Sequence, residues 1–426
     1  MFLKALKNKD IRKKILFTLF VITLFEIGVN IPVPGIDHSV LQEMFGNNGA
    51  FDLFNLFTGG AFGNMTIFAL GITPYITASI IFQLLTIAIP KLETLSQEGE
   101  TGQKKIATYT RYLTVVLGIV QAIGMTFGIF RNAVKDDSML TNISIVLLLT
   151  AGMTILMWLG EQINEYGIGN GISILIFASI ANRIPVDAKS IWSSYTQGTI
   201  SFMTVTLIVL FALCIVGFVI YVNEGVRKIP VNYAKRVVGR KAYGGTATHL
   251  PIKVNAAGVI PIIFAMSILQ FPTIISYIAP NSGYAHFINK YLTTSSSPGA
   301  YVYMILNFVL ILFFTYFYTS IVFKPKEISK NLAANSGTIP GIRPGMNTEK
   351  YISKVSNRLC LASGIFLGLI SSLPILTSVF STLKLSFGGT SILIVVGVAL
   401  ETMKQIENKL TLENSYGFLN SFSKGY

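Results

Sequence analysis

The residues able to do covalent or proton chemistry are few in this chain of 426 residues, and they stand apart from one another. The three histidines, His38, His249 and His286, are scattered singly. Cys214 and Cys360 lie in separate apolar runs, a spacing that offers neither a metal site nor a disulfide framework. Glu26 is the only acid near the middle of an apolar run, while Arg131, Glu161 and Glu401 lie at the ends of others. A lone acid reads either as an ion site or as a satisfied residue facing a neighbouring helix, and a single carboxylate fits the second better. There is no G-x-x-x-x-G-K-[ST] loop to cradle a nucleotide phosphate, no H-E-x-x-H zinc site and no nucleophile elbow. Neither enzymatic chemistry nor a cofactor is expected.

What recurs instead is isoleucine. Ile72 and Ile76 are four apart, and Ile172 and Ile176 repeat the interval, so each pair shares one helix face. Ile263 stands beside Pro261, and Ile394 lies inside a late apolar run. The spacing leaves two readings open. One is ordinary packing or lipid contact. The other is an apolar constriction that holds back ions and water by dewetting.

The elements that carry these residues are membrane helices. Hydrophobic residues make up 52% of the chain and charged ones 12%, the latter about half the share usual for a soluble domain. Mean hydropathy is +0.61. A soluble fold of this length would expose far too much apolar surface. At roughly 20 residues per span, ten spans are predicted: 15–33, 66–89, 113–130, 143–160, 170–184, 202–222, 257–275, 302–323, 359–377 and 387–403. The fifth and tenth are expected to be short. The first apolar run is too long for a secretory signal and lacks a small-residue cleavage pattern. Of the 33 Lys and Arg, 27 fall in the termini and the even-numbered set of loops, and 6 in the other set. That asymmetry predicts a multi-pass protein with both termini cytoplasmic. Before the first span, Phe2, Leu3 and Leu6 alternate with Lys4 and Lys7, and a short surface helix is expected there.

Five spans end near residue 200 and five follow. An odd number per half makes the halves enter the membrane from opposite sides, the arithmetic of an inverted repeat. Pro74 and Pro261 recur inside the second span of each half, and Gly169 and Gly171 match Gly388 and Gly389 at the opening of the fifth. Between spans one and two, the apolar stretch Phe51, Asp52, Leu53, Phe54, Asn55, Leu56, Phe57 is bounded by Gly49, Gly59 and Gly60. It suits a short re-entrant or interfacial helix better than a span. The loops at 223–256 and 324–358 carry seven basic residues each. Pro-Gly pairs on both sides of Arg343 predict tight turns holding one guanidinium on a protruding tip. Such a tip suits an acidic protein or a phosphate backbone.

Several stretches together resemble the SecY family, the channel subunits of the bacterial Sec protein translocon. They are 31–36 (IPVPGI), 68–76 (FALGITPYI), 158–163 (WLGEQI), 167–173 (GIGNGIS), 231–236 (VNYAKR), 249–255 (HLPIKVN), 340–345 (PGIRPG) and 388–391 (GGTS). They occur in family order along nearly the whole chain. The resemblance implies an all-α membrane fold of ten helices in two inverted five-helix halves, 1–200 and 201–426, that open like a clamshell. It implies a pore ring of Ile72, Ile76, Ile172, Ile176, Ile263 and Ile394, and a plug at about 50–64. Thr77, Gln121, Asn255 and Phe271 would line a lateral gate between spans two and three and spans seven and eight. Arg240, Lys241 and Arg343 would dock the ribosome and the SecA motor ATPase. The implied partners also include the accessory subunits SecE and SecG, signal peptides and nascent chains, and membrane lipid. The implied location is the bacterial cytoplasmic membrane. A secondary transporter of a small solute is the alternative that inverted halves also allow.

Overall fold

The computed structural model describes residues 8–41, 55, 58–136, 138–199, 201–233, 236–238, 241–243, 247–278, 282–292, 297–380 and 389–423. The helices are α1 (Lys9–Val29), α2 (Thr73–Ala88), α3 (Pro90–Gln97), α4 (Glu100–Gly124), α5 (Met139–Tyr166), α6 (Gly171–Thr196) and α7 (Phe202–Glu224), then α8 (Ile260–Ile278), α9 (Gly283–Tyr291), α10 (Ser297–Val322), α11 (Pro325–Ala334), α12 (Met346–Phe380) and α13 (Gly389–Ser423). A helix stands at each of the ten expected spans: α1, α2, α4 to α8, α10, α12 and α13. Among the described residues, seven helical stretches are long and apolar enough to cross a membrane. Of the other three, α1 carries Arg12, Lys13, Lys14 and Glu26, α2 has only 16 residues, and α8, apolar along its 19 residues, is fully described only as far as Thr273.

Three sequence expectations are corrected. Residues 66–72 of the second predicted span are not helical. They form buried turns with Phe68, Ala69 and Leu70 nearly inaccessible. Pro74 and Pro261 are not interior kinks but sit in the first turn of α2 and α8, where a missing N–H costs nothing. Each is preceded three residues earlier by a glycine of positive φ, Gly71 at +59° and Gly258 at +64°, so the same Gly-x-x-Pro turn launches both helices. The fifth and tenth helices are long, with 26 and 35 residues. Their apolar parts are short, but a helix continues past its apolar part wherever polar residues can meet water. Of the expected plug at about 50–64, Asn55 and residues 58–64 are described, the latter as turns and not helix, and the expected helix at 2–7 lies outside the described residues.

The glycines that open α6 and α13 have a packing cause. A Cβ at Gly171 would run into the Gly160 carbonyl of α5, and one at Gly389 into the Ile370 carbonyl of α12. The fourth and fifth helices of each half thus approach backbone to backbone. The turn before α6 is held by three other helices. The Thr18 hydroxyl accepts from the Ile168 N–H at 3.0 Å, the Gln405 side-chain oxygen from the Gly169 N–H at 3.0 Å, and the Asn164 oxygen from the Gly171 N–H at 2.7 Å. Asn170 caps the helix by accepting from the Ile172 and Ser173 N–H groups. Gly171→Val should therefore separate α5 from α6. The expected result is a loss of thermal stability of about 3 kcal/mol or more, read as a lower melting temperature of purified protein against Gly217→Val, where nothing lies close.

Outside the helical body, β1 (Val226–Tyr233) pairs antiparallel with β4 (Ala247–Lys253), and β5 (Gly337–Thr338) adds to the other edge of β1. β2 (Arg236–Val238) and β3 (Lys241–Tyr243) form a separate hairpin between β1 and β4. Ile229, Val231, Ile252, Leu332, Ile339 and Ile352 form a small core beneath the sheet. The two basic loops, far apart in sequence, are thereby joined into one platform.

Candidate functional site

α8 packs against α2, against the end of α4 and against the π-helical turn Met125–Ile129 that follows it. On another side, α13 packs against α1 and α6, and α7 against α6. Between these two seams, side chains of α2, α6 and α8 close on a small cavity. Its lining is Ile72, Thr73, Ile76, Ile176, Ile263, Met266, Ser267 and Gln270. It is a narrow, partly open cleft of about 20 Å³, room for about one water. Four of the six ring isoleucines meet here. The other two do not line the cavity. Ile394 is fully buried in the same apolar cluster, and Ile172 is packed at its edge against Gly160.

The lining is apolar at its four isoleucines and Met266 and polar at Thr73, Ser267 and Gln270. The Ser267 hydroxyl donates to the Ile263 carbonyl at 2.8 Å and is spent on its own helix. Sequence reasoning passed over Thr73, Met266, Ser267 and Gln270. The signal was there, since Ile263, Met266, Ser267 and Gln270 follow the i, i+3, i+4, i+7 spacing of one face.

The four expected gate residues sit on α2, α4, α8 and the turn before α8. Gln121 is buried on α4, Thr77 is half-buried on α2, and Phe271 is 41% exposed on α8. Asn255 is buried at the turn before α8. Its amide donates to Asn223 at 2.8 Å and to the Gly258 carbonyl at 3.1 Å, and its oxygen accepts from the Ser363 hydroxyl at 3.0 Å. Those partners tie α7, α8 and α12 together, all within the second half. On the first half, Arg111 of α4 pairs with Glu161 of α5 at 2.6 Å. Glu26, read from sequence as a satisfied residue, accepts from the Asn182 amide of α6 at 2.8 Å.

Near the expected plug, the Asn55 oxygen accepts from the Gly63 N–H at 2.9 Å, and Gly59 lies against Ser179 of α6. Phe51, Asp52, Leu53, Phe54, Leu56 and Phe57 lie outside the described residues. On the platform, Arg343 stands exposed between Gly341 and Gly345, whose φ values of +78° and +93° make the expected tight turn. The Arg343 carbonyl accepts from the Thr348 hydroxyl at 3.0 Å and the Gly345 carbonyl from Ser329 at 2.8 Å, so the turn is anchored at its base. Among the described residues no ion pair engages the Arg343 guanidinium. Arg240 lies outside the described residues, and of Lys241 the backbone is described, paired with Val238 in the β2–β3 hairpin.

A narrow, isoleucine-lined constriction between helices and a basic platform together match one known architecture. The SecY family model covers residues 66–403. The protein translocase subunit SecY of Streptomyces galbus is 45% identical over 98% of this chain and 99% of its own length. Among solved structures, a protein-conducting channel superposes with a TM-score of 0.69 at 22% identity, over 93% of this chain and 92% of that one. Sec61 of the canine ribosome-channel complex superposes with a TM-score of 0.64 at 20% identity, over 93% and 92%. The ten helices in two inverted halves and the full-length identity agree: the chain belongs to the SecY family.

Proposed function

We propose that this multi-pass membrane protein is a protein-conducting channel, the central subunit of a translocase that moves unfolded, signal-bearing polypeptides across the cytoplasmic membrane and releases membrane helices sideways into it. The observation that carries the reading is the meeting of Ile72, Ile76, Ile176 and Ile263 at one narrow cleft of about 20 Å³. A passage for polypeptides has to admit many side chains and still seal against ions. Isoleucine suits this, being bulky, apolar and without hydrogen bonds to offer, whereas a ring of charges would select or leak.

The two halves, 1–200 and 201–426, would part along the seam of α8 with α2 and α4, with Thr77, Gln121, Asn255 and Phe271 on or near it. A signal peptide, roughly 10–20 residues long with an apolar centre, would insert there and displace a plug at 50–64. Ile172 and Ile394 would complete the ring once the helices move. Both termini and the basic platform would be cytoplasmic, by the 27-to-6 division of basic residues. The platform would receive the ribosome or the SecA motor through Arg240, Lys241 and Arg343, and these would supply the energy. SecE and SecG would be the accessory subunits. A small-solute transporter is not favoured, because the cavity presents no ionisable group.

The test is a photo-crosslink. A crosslinking side chain at Ile263, with a signal-bearing nascent chain stalled in the membrane, should give adducts to that chain. The same probe at Ile119, 39% exposed on the outer face of α4, should give none. Adducts at neither position in folded protein would return the isoleucines to packing.

A further inference from the structure

A second surface, used neither by the cavity nor by the Arg343 turn, lies where α12 enters the apolar layer. Lys350, Lys354 and Arg358 follow one another at intervals of four and form one stripe on that helix. All three are exposed, and among the described residues no ion pair engages them. With Tyr316, Ser353 and Asn357 they line an open groove of about 500 Å³, and Glu349 is the acid on its wall. Three cations against one carboxylate leave the groove net positive.

The same face of α12 then changes character. Leu361, Ile365 and Leu369 continue it at intervals of three and four, with 46%, 39% and 58% of their surfaces exposed. Across from them α10 exposes Val309 and Phe313. Tyr316 marks the boundary, and its hydroxyl donates to the Asn357 carbonyl at 3.3 Å. An aromatic ring with a polar tip is what the membrane–water boundary favours. The groove also opens onto a second one of about 420 Å³, which shares Tyr316, Ser353 and Asn357 and is otherwise largely apolar, with Phe313, Phe317 and Phe323 on its wall. A soluble acidic protein or a nucleic acid would use the stripe and leave the apolar continuation bare. A molecule with an anionic head and hydrocarbon chains uses both.

We infer that this face is a binding site for an anionic phospholipid of the leaflet on the basic side. Lys354 and Arg358 hold its phosphate, Lys350 adds charge above, and its chains lie along Leu361, Ile365 and Phe313. The inference is independent of the pore, since it needs only that α10 and α12 cross the bilayer.

The test uses the purified full chain in detergent, with phosphatidylglycerol or phosphatidylcholine added and retained lipid counted by native mass spectrometry. Wild-type protein should retain phosphatidylglycerol in preference. K350Q/K354Q/R358Q should weaken that binding by at least about tenfold and leave phosphatidylcholine unchanged. R227Q/K228Q, on exposed positions of β1, should change neither. Unaltered phosphatidylglycerol binding by the triple variant would overturn the site. So would an equal loss in the β1 variant, which would mean overall charge, or displacement by millimolar inorganic phosphate, which would mean a free anion site. A photo-crosslinking side chain at Leu361 gives a second reading in otherwise unaltered protein. Adducts to phosphatidylglycerol support the site, and adducts to a protein alone overturn it.

Discussion

Replacing Ile76, Ile176 and Ile263 together by serine should raise the resting ion conductance of the closed protein by about tenfold or more, because a wetted constriction conducts and a dry one does not. The cavity between these side chains holds about 20 Å³. Three serines would remove most of the alkyl volume and add three hydroxyls, giving room and hydrogen-bond partners for a file of waters. Planar-bilayer conductance of the purified protein checks this. Leucine at the same three positions, similar in volume and equally apolar, should leave the seal intact. An unchanged conductance with serine would mean that the seal lies elsewhere and that these isoleucines only pack.

Under the proposed docking role, Arg343→Glu should lower motor-driven transport into proteoliposomes by at least about tenfold, since a reversed charge within a docking contact costs several kcal/mol of association. The fold should survive. The guanidinium is exposed, and the turn is held by the Arg343 and Gly345 carbonyls, which the substitution leaves in place. Arg343→Lys keeps the charge but loses the planar fork, and an intermediate loss is expected. The melting temperature should be the same in all three proteins. Normal transport by Arg343→Glu would move the docking role off this turn.

Much of this architecture was legible in the residues. The number of spans, their order and the asymmetry of basic residues are sums over neighbouring positions, and each of the ten expected spans coincides with a helix. The Arg343 turn was legible because Pro-Gly is a local instruction, and both glycines take the positive φ it implies. Helix ends were less legible. Residues 66–72 are apolar enough for a span, yet they fold as buried turns, because Gly71 and Pro74 together start the helix only at Thr73. Hydropathy also underestimated α6 and α13, since it measures the apolar stretch and not the helix.

Sequence by itself determined that the chain is a membrane protein of ten helices with one basic side, and the order of its motifs carried the family resemblance. Spacing could not decide whether the isoleucines pack or seal. That depends on where α2, α6 and α8 meet, and the tertiary structure brought Ile72, Ile76, Ile176 and Ile263 to one cavity while leaving Ile172 and Ile394 behind it. It also placed Asn255 inside the second half, tied to Asn223 and Ser363. And it joined two distant basic loops through β5 and β1. The physical reason is the same in each case. Local pattern sets the length and the faces of a helix, but which faces meet is settled by close packing among helices remote in sequence, as where Gly171 and Gly389 admit a neighbouring backbone.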